Sequence, residues 1–175
     1  MKLIRNCSDI IDWDYEISLL TDGNRLVYND QSFNKDLPQF AKMDKVWQDA
    51  GYQYNTDSIE WINYFPRKEL IDKFSELVEA KPWMVWFSRI KPGKMAPWHE
   101  DVHSKINEVL SLGTPVRFTC YVQNPHVGHV SIVEKHCVYM PNKGDIYQWP
   151  SHDAWHCGMN GGLVDKYMFN FWGYR

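Results

Sequence analysis

Long apolar runs are missing from this chain of 175 residues: the longest is Trp83-Met84-Val85-Trp86-Phe87, far short of the roughly 20 residues that cross a bilayer. The amino terminus, Met1-Lys2-Leu3-Ile4-Arg5-Asn6-Cys7, lacks the apolar stretch of a secretory signal. Cysteine is scarce, with four residues (Cys7, Cys120, Cys137, Cys157) and no CxxC pair. Reduced thiols in a cytoplasmic compartment are therefore expected. Neither sign of charge dominates: 19 basic against 22 acidic residues give a net charge of -3. That balance excludes a global electrostatic footprint for nucleic acid and leaves only a local basic groove open. Internal repeats and low-complexity tracts are absent. What the chain has in excess is aromatic surface, 15% with nine tryptophans, which suits a packed β core or a stacking pocket.

The length suits one compact domain over 1–175, and the pattern changes character near residue 82. Residues 1–82 read as a helical and irregular lead-in that packs on a sheet. Ile10–Leu20 reads equally as helix or strand, and Phe40–Ala50 as a short helix ending at Gly51. Pro66–Ala80 is the clearest helix, since Leu70, Ile71, Phe74, Leu77 and Val78 form one apolar stripe that Lys81-Pro82 terminates. Residues 83–175 read as short strands separated by turn chemistry: Trp83–Ile90, Val116–Gln123, His129–Glu134, His136–Met140, Asp145–Trp149, Ala154–Gly158 and Lys166–Trp172. Such a set after a helical lead-in predicts a mainly β domain, a β-sandwich or jelly roll with helices packed outside. A sandwich that only binds sugar or peptide matches the same pattern.

All seven histidines follow residue 82, and His99 belongs to two competing metal patterns. His99-Glu100-Asp101-Val102-His103 matches HExxH, whose zinc chemistry needs both histidines on one helical face. Pro97, the charge at Asp101 and Ser104-Lys105 oppose a helix there. The other pattern joins His99-x-Asp101 to a distant His156. On a strand, residues i and i+2 share a face, so His99 and Asp101 reach one ion, and His156 completes two nitrogens and one carboxylate. That set leaves positions open for a bidentate cosubstrate and O₂.

Lys166 enters through a turn signal, Asn160-Gly161-Gly162. A hairpin centred on Gly161 sets Lys166 opposite His156 and turns its ammonium into the same cavity; a register slip of one residue would turn it out to solvent. Along Val116–Gln123, Val116, Phe118, Cys120 and Val122 form an apolar face. Arg117, Thr119, Tyr121 and Gln123 form a polar one. Arg117 reads either as a second carboxylate clamp in a wet lumen or as an outer-surface arginine. Gly144-Asp145 marks a turn into the next strand.

Ser88-Arg89-Ile90-Lys91-Pro92-Gly93-Lys94-Met95-Ala96-Pro97-Trp98-His99-Glu100-Asp101 resembles the xRxxPGxxxxxHxD opening of 2-oxoglutarate/Fe(II)-dependent oxygenases, nearest the aspartyl/asparaginyl β-hydroxylase-like and prolyl-hydroxylase-like branches. Gly144-Asp145-Ile146-Tyr147-Gln148-Trp149, then Trp155-His156-Cys157-Gly158-Met159-Asn160-Gly161-Gly162 and Lys166, is similar to the GDxxxF…HxVxNxG…R/K close of that fold. The resemblance covers about residues 83–175. It implies a double-stranded β-helix in which His99, Asp101 and His156 hold Fe(II) and are the catalytic centre. It further implies that Lys166 binds the distal carboxylate of 2-oxoglutarate and that Arg117 sits where the β-hydroxylase branch places an Arg. The chain departs from that branch at Lys166, where Arg is common, and at Thr119, where a His is frequent. The implied activity is hydroxylation of a C–H bond in a peptide, amino acid or small metabolite, with O₂ as second substrate and no membrane partner. A cupin-like jelly roll that binds metal without turning over 2-oxoglutarate keeps the same ligands and does not need Lys166.

Overall fold

The computed structural model describes residues 1–26, 45–46, 48–51, 59–101 and 106–175. The expected helix over Phe40–Ala50 lies partly outside them; Lys45, Val46, Gln48 and Asp49 are helical, and Gly51 ends the turn at φ 82°. The stripe in Pro66–Ala80 forms α2 (Lys68–Val78), which comes after a one-turn-and-a-half α1 (Trp13–Ser18). α2 buries Leu70, Phe74 and Val78 and stops before Lys81, at Glu79, which takes a left-handed conformation. Asp12 caps α1 by accepting from the Tyr15 amide. A further helix, α3 (Ile106–Leu112), comes after the second metal-pattern residue, Asp101.

The strands are β1 (Lys2–Asn6), β2 (Arg25–Leu26), β3 (Ile62–Tyr64), β4 (Lys81–Ile90), β5 (Met95–His99) and β6 (Pro115–Tyr121). They continue with β7 (His129–Val133), β8 (His136–Tyr139), β9 (Asp145–Gln148), β10 (His156–Asn160) and β11 (Lys166–Tyr174). One sheet has seven strands in the order β1-β9-β6-β11-β4-β3-β2, and the other has four in the order β5-β10-β7-β8. From β4 to β11 the chain passes between the sheets at almost every connection. The strand orders 9-6-11-4 and 5-10-7-8 are those of a jelly roll. The lead-in does more than pack on a sheet, because β1, β2 and β3 extend the larger one at both ends. Gly144 allows β1 to dock: its φ is 86°, and a Cβ there would meet the Ser8 amide at 2.5 Å. Asp145 next to it accepts from the Asn142 amide and from Asn6 of β1.

Period-two alternation divides the larger sheet into two environments. Its outer face carries Phe87, Phe118, Cys120, Phe169 and Phe171, all buried under α1 and α2. Phe169 is the hub, with ring centroids 5.5 Å from Trp13, 4.8 Å from Phe74 and 5.0 Å from Phe87. Phe169→Ala should cost about 3–5 kcal/mol of unfolding free energy, read as a lower urea midpoint at unchanged slope, because the cavity joins three packed elements. The inner face is polar: Asn63, Ser88, Thr119 and Asn170 form one buried hydrogen-bonded chain. The polar face expected for Val116–Gln123 therefore does line a lumen. All four cysteines are thiols; Cys7 and Cys120 lie 3.9 Å apart at sulfur on the helical side.

The hairpin expected around Gly161 does not form. β10 pairs with β5 and β7 in the smaller sheet, whereas β11 pairs with β4 and β6 in the larger one. The turn is a crossover between sheets, held by Asn160, whose amide group donates to the Ile90 and Val164 carbonyls and accepts from the Gly162 amide. Lys166 lies opposite Ile90, not His156.

Candidate metal centre

His99 ends β5 and His156 begins β10, and the two are directly paired in the smaller sheet. Both rings point between the sheets, with centroids 4.1 Å apart. Asp101 joins them from just past the strand: His99 Nε2 lies 3.4 Å from Oδ1, and His156 Nε2 lies 3.6 Å from Oδ2. One ligand atom from each of the three lies within 4.8 Å of the others. The i, i+2 argument is corrected in one respect: β5 stops at His99, so Asp101 is not on the strand.

The imidazoles are oriented for ligation. His99 Nδ1 lies 2.5 Å from the Pro97 carbonyl, and His156 Nδ1 lies 3.0 Å from the Ala154 carbonyl. A carbonyl only accepts, so Nδ1 carries a proton on both rings, and Nε2 is the atom that each ring turns toward the centre. Aromatic walls hold the rings: Trp61 stacks on His99 at 5.7 Å, and Trp149 meets His156 edge-on at 4.7 Å. Burial, with His99 adjacent, keeps the His156 pKa well below 6.5, so this imidazole is neutral at pH 7. Burial alone would raise the Asp101 carboxyl, but Arg117, His156 and His99 outweigh it and hold it well below the usual carboxylate range. Two imidazole nitrogens and an ionised carboxylate on one side of a point are a donor set for a divalent first-row metal.

The HExxH alternative needs a helix through His99, and His99 is in a strand. His103 lies outside the described residues.

Lys166 is buried, 2% exposed, and points inward from β11. Its ammonium crosses to the smaller sheet, donating to the Val130 carbonyl and, at 2.8 Å, to Ser131 Oγ. Ser131 pairs with Gly158, two residues along β10 from His156 and on the same face. Lys166 Nζ lies 3.7 Å from where a Gly158 Cβ would sit. The inward direction expected for Lys166 is thus present, although it arises from the β11–β4 register. Burial lowers its pKa from 10.5 to about 7. Beside it the hydroxyl of Tyr121 is buried without a hydrogen-bond partner. Ser131 had no advance signal beyond its polar place in the alternating His129–Val133.

Arg117 is also inside, 3% exposed, with Nη2 donating to Asp101 Oδ2. Its guanidinium lies over Trp149 at 3.6 Å, with Trp172 at 5.5 Å and Trp86 at 5.8 Å. The outer-surface reading of Arg117 is excluded by this burial.

Fold and site together define a jelly-roll protein with a His-Asp-His group able to hold a metal ion. No protein-family profile and no curated protein matches the chain. Solved structures similar to it include one described as a predicted oxalate decarboxylase of Thermotoga maritima. It has 12% identity and a TM-score of 0.42, over 66% of this chain and 81% of that one. Another is the plu4264 protein of Photorhabdus luminescens, with 11% identity and a TM-score of 0.41, over 71% and 82%. The fold assignment rests on the strand order, and these likenesses add nothing about activity. Among the described residues no helix is long and apolar enough to cross a membrane.

Proposed function

We propose that the protein is an Fe(II)- and 2-oxoglutarate-dependent dioxygenase that hydroxylates a C–H bond of a peptide, amino acid or small metabolite. The observation that carries this reading is the buried Lys166 ammonium, one strand repeat from the candidate metal ligands. Two residues of a strand span about 7 Å. A five-carbon 2-oxo diacid whose keto-acid end sits at the ligands reaches that far with its other carboxylate. There the Lys166 ammonium is the donor such a carboxylate would meet, with Ser131 Oγ beside it at 2.8 Å. Gly158 lies between the two ends, where a Cβ would come within 3.7 Å of Lys166 Nζ, so glycine is the residue that crowds a bound diacid least there.

Fe(II) at this centre, with 2-oxoglutarate and O₂, supplies an oxidant able to take hydrogen from carbon, releasing succinate and CO₂. The protein's own part is arrangement. His99, Asp101 and His156 would hold the ion, Trp61 and Trp149 wall the imidazoles, and Lys166 would orient the cosubstrate. Arg117 keeps Nε without a partner and Nη1 at 3.5 Å from the His152 carbonyl, donors that a second carboxylate contact would use.

A second reading has its own observation. Lys166 already has two acceptors, Val130 O and Ser131 Oγ, so its burial does not require an anion. A cupin-like metal-binding jelly roll without 2-oxoglutarate turnover matches that state. Anaerobic titration of Fe(II) with 2-oxoglutarate separates the two: a weak visible charge-transfer band supports the dioxygenase, and metal binding without the band supports the second reading. Gly158→Val should bind Fe(II) normally and lose the band, because even its Cβ would lie 3.1 Å from Ile90 Cδ1 and its branches would fill the path to Lys166.

A further inference from the structure

Asp101 is the ligand the sheets leave unsupported. His99 and His156 are locked into the β5–β10 ladder, but β5 ends at His99 and Asp101 takes part in no strand pairing. Among the described residues, the guanidinium that reaches its carboxylate is Arg117, from β6 inside the opposite sheet. Arg117 is itself held firmly. Its guanidinium lies 3.6 Å over Trp149, whose indole N–H donates to Thr119 Oγ1 at 2.9 Å. On another side stands Trp86, whose N–H donates to Ser88 Oγ at 3.0 Å. Two tryptophans fastened to the buried polar chain of the larger sheet thus set the plane of the guanidinium.

We propose that Arg117 is a positioning residue for the metal centre, holding the Asp101 carboxylate against the two imidazoles and so tying the third ligand to the larger sheet. The inference rests on the reading of His99, Asp101 and His156 as metal ligands. Arginine suits this task because its planar, stacked fork fixes direction as well as charge, which a lysine ammonium on a flexible stem does not. Outer partners of metal ligands are typically worth about 10–100-fold in affinity.

Co(II), which gives visible bands and undergoes no turnover, is the probe. It is titrated into the full chain as wild type, Arg117→Met, Arg117→Lys, Asp101→Ala and the Asp101→Ala/Arg117→Met double variant. Arg117→Met should raise the apparent Kd about tenfold or more, and its spectrum should take the Asp101→Ala form. The double variant should bind like Asp101→Ala alone, because the arginine acts through the missing carboxylate. Arg117→Lys should fall between, with a spectrum nearer wild type. Unchanged affinity and spectrum in Arg117→Met would overturn the proposal. So would tighter binding, which would mean that the arginine only competes with the ion by charge, or losses that add in the double variant. If Arg117→Met does not fold, Arg117→Lys decides: a raised Kd supports positioning and wild-type behaviour overturns it. Failure of the wild type to bind Co(II) would instead overturn the metal reading itself.

Discussion

His99→Ala and His156→Ala should each lose tight Fe(II) binding, with affinity falling by more than about 100-fold, beyond what an outer partner alone is worth. The two rings face each other across one rung of the smaller sheet, and each is aimed by a bond from Nδ1 to a carbonyl two residues back. Removing either leaves one imidazole and Asp101, and no other His, Cys, Asp or Glu among the described residues completes the group. His103→Ala should leave binding nearly intact. Metal content measured after anaerobic loading and desalting checks all three. Metal that survived loss of His156 but not of His103 would return the zinc-hydrolase pattern to consideration.

Lys166→Ala should raise the apparent constant for 2-oxoglutarate by roughly 30-fold or more while leaving Fe(II) binding unchanged. A buried charge-assisted pair is worth about 2–5 kcal/mol when one partner is truncated. Lys166 touches none of the three candidate ligands, so the metal constant is the internal control; Lys143→Ala, in an outer turn, should change neither. The pH dependence has a definite sign. With its pKa lowered to about 7 in the ligand-free protein, Lys166 is already protonated below that pH and meets the carboxylate at no further cost. Above it, binding must take up a proton, because a paired carboxylate restores the ammonium. The affinity should therefore fall by up to about tenfold per pH unit as pH rises through 7. Isothermal titration at pH 6, 7 and 8 reads both the slope and the proton uptake. A flat profile with unchanged Lys166→Ala affinity would favour the metal-binding jelly roll without a cosubstrate, or Arg117 as the carboxylate partner.

Alternation along the chain determined a good deal by itself. The stripe from Leu70 to Val78 defined α2, and the two faces of Val116–Gln123 separated the buried helical side from the polar lumen. The strand set from Trp83 onward indicated a β-sandwich or jelly roll, and the HxD…H pattern brought out His99, Asp101 and His156. These are consequences of period 3.6 or period 2, which neighbouring residues carry without help from the rest of the chain. β1 escaped notice because Lys2–Asn6 is exposed at four of five positions and carries no apolar alternation. Its place is set by Asp145, Gly144 and the edge of β9.

Only the tertiary structure decided which strands pair. Asn160-Gly161-Gly162 has the chemistry of a hairpin turn, yet β10 and β11 go to different sheets. Pairing depends on which long-range partners bury Phe169 and Phe171, and no local signal contains that. The same holds for Lys166 meeting Ser131 of the other sheet, and for Arg117 reaching Asp101 across the lumen. A strand's alternation says which side a residue faces, whereas what it meets there depends on the packing of one sheet on another.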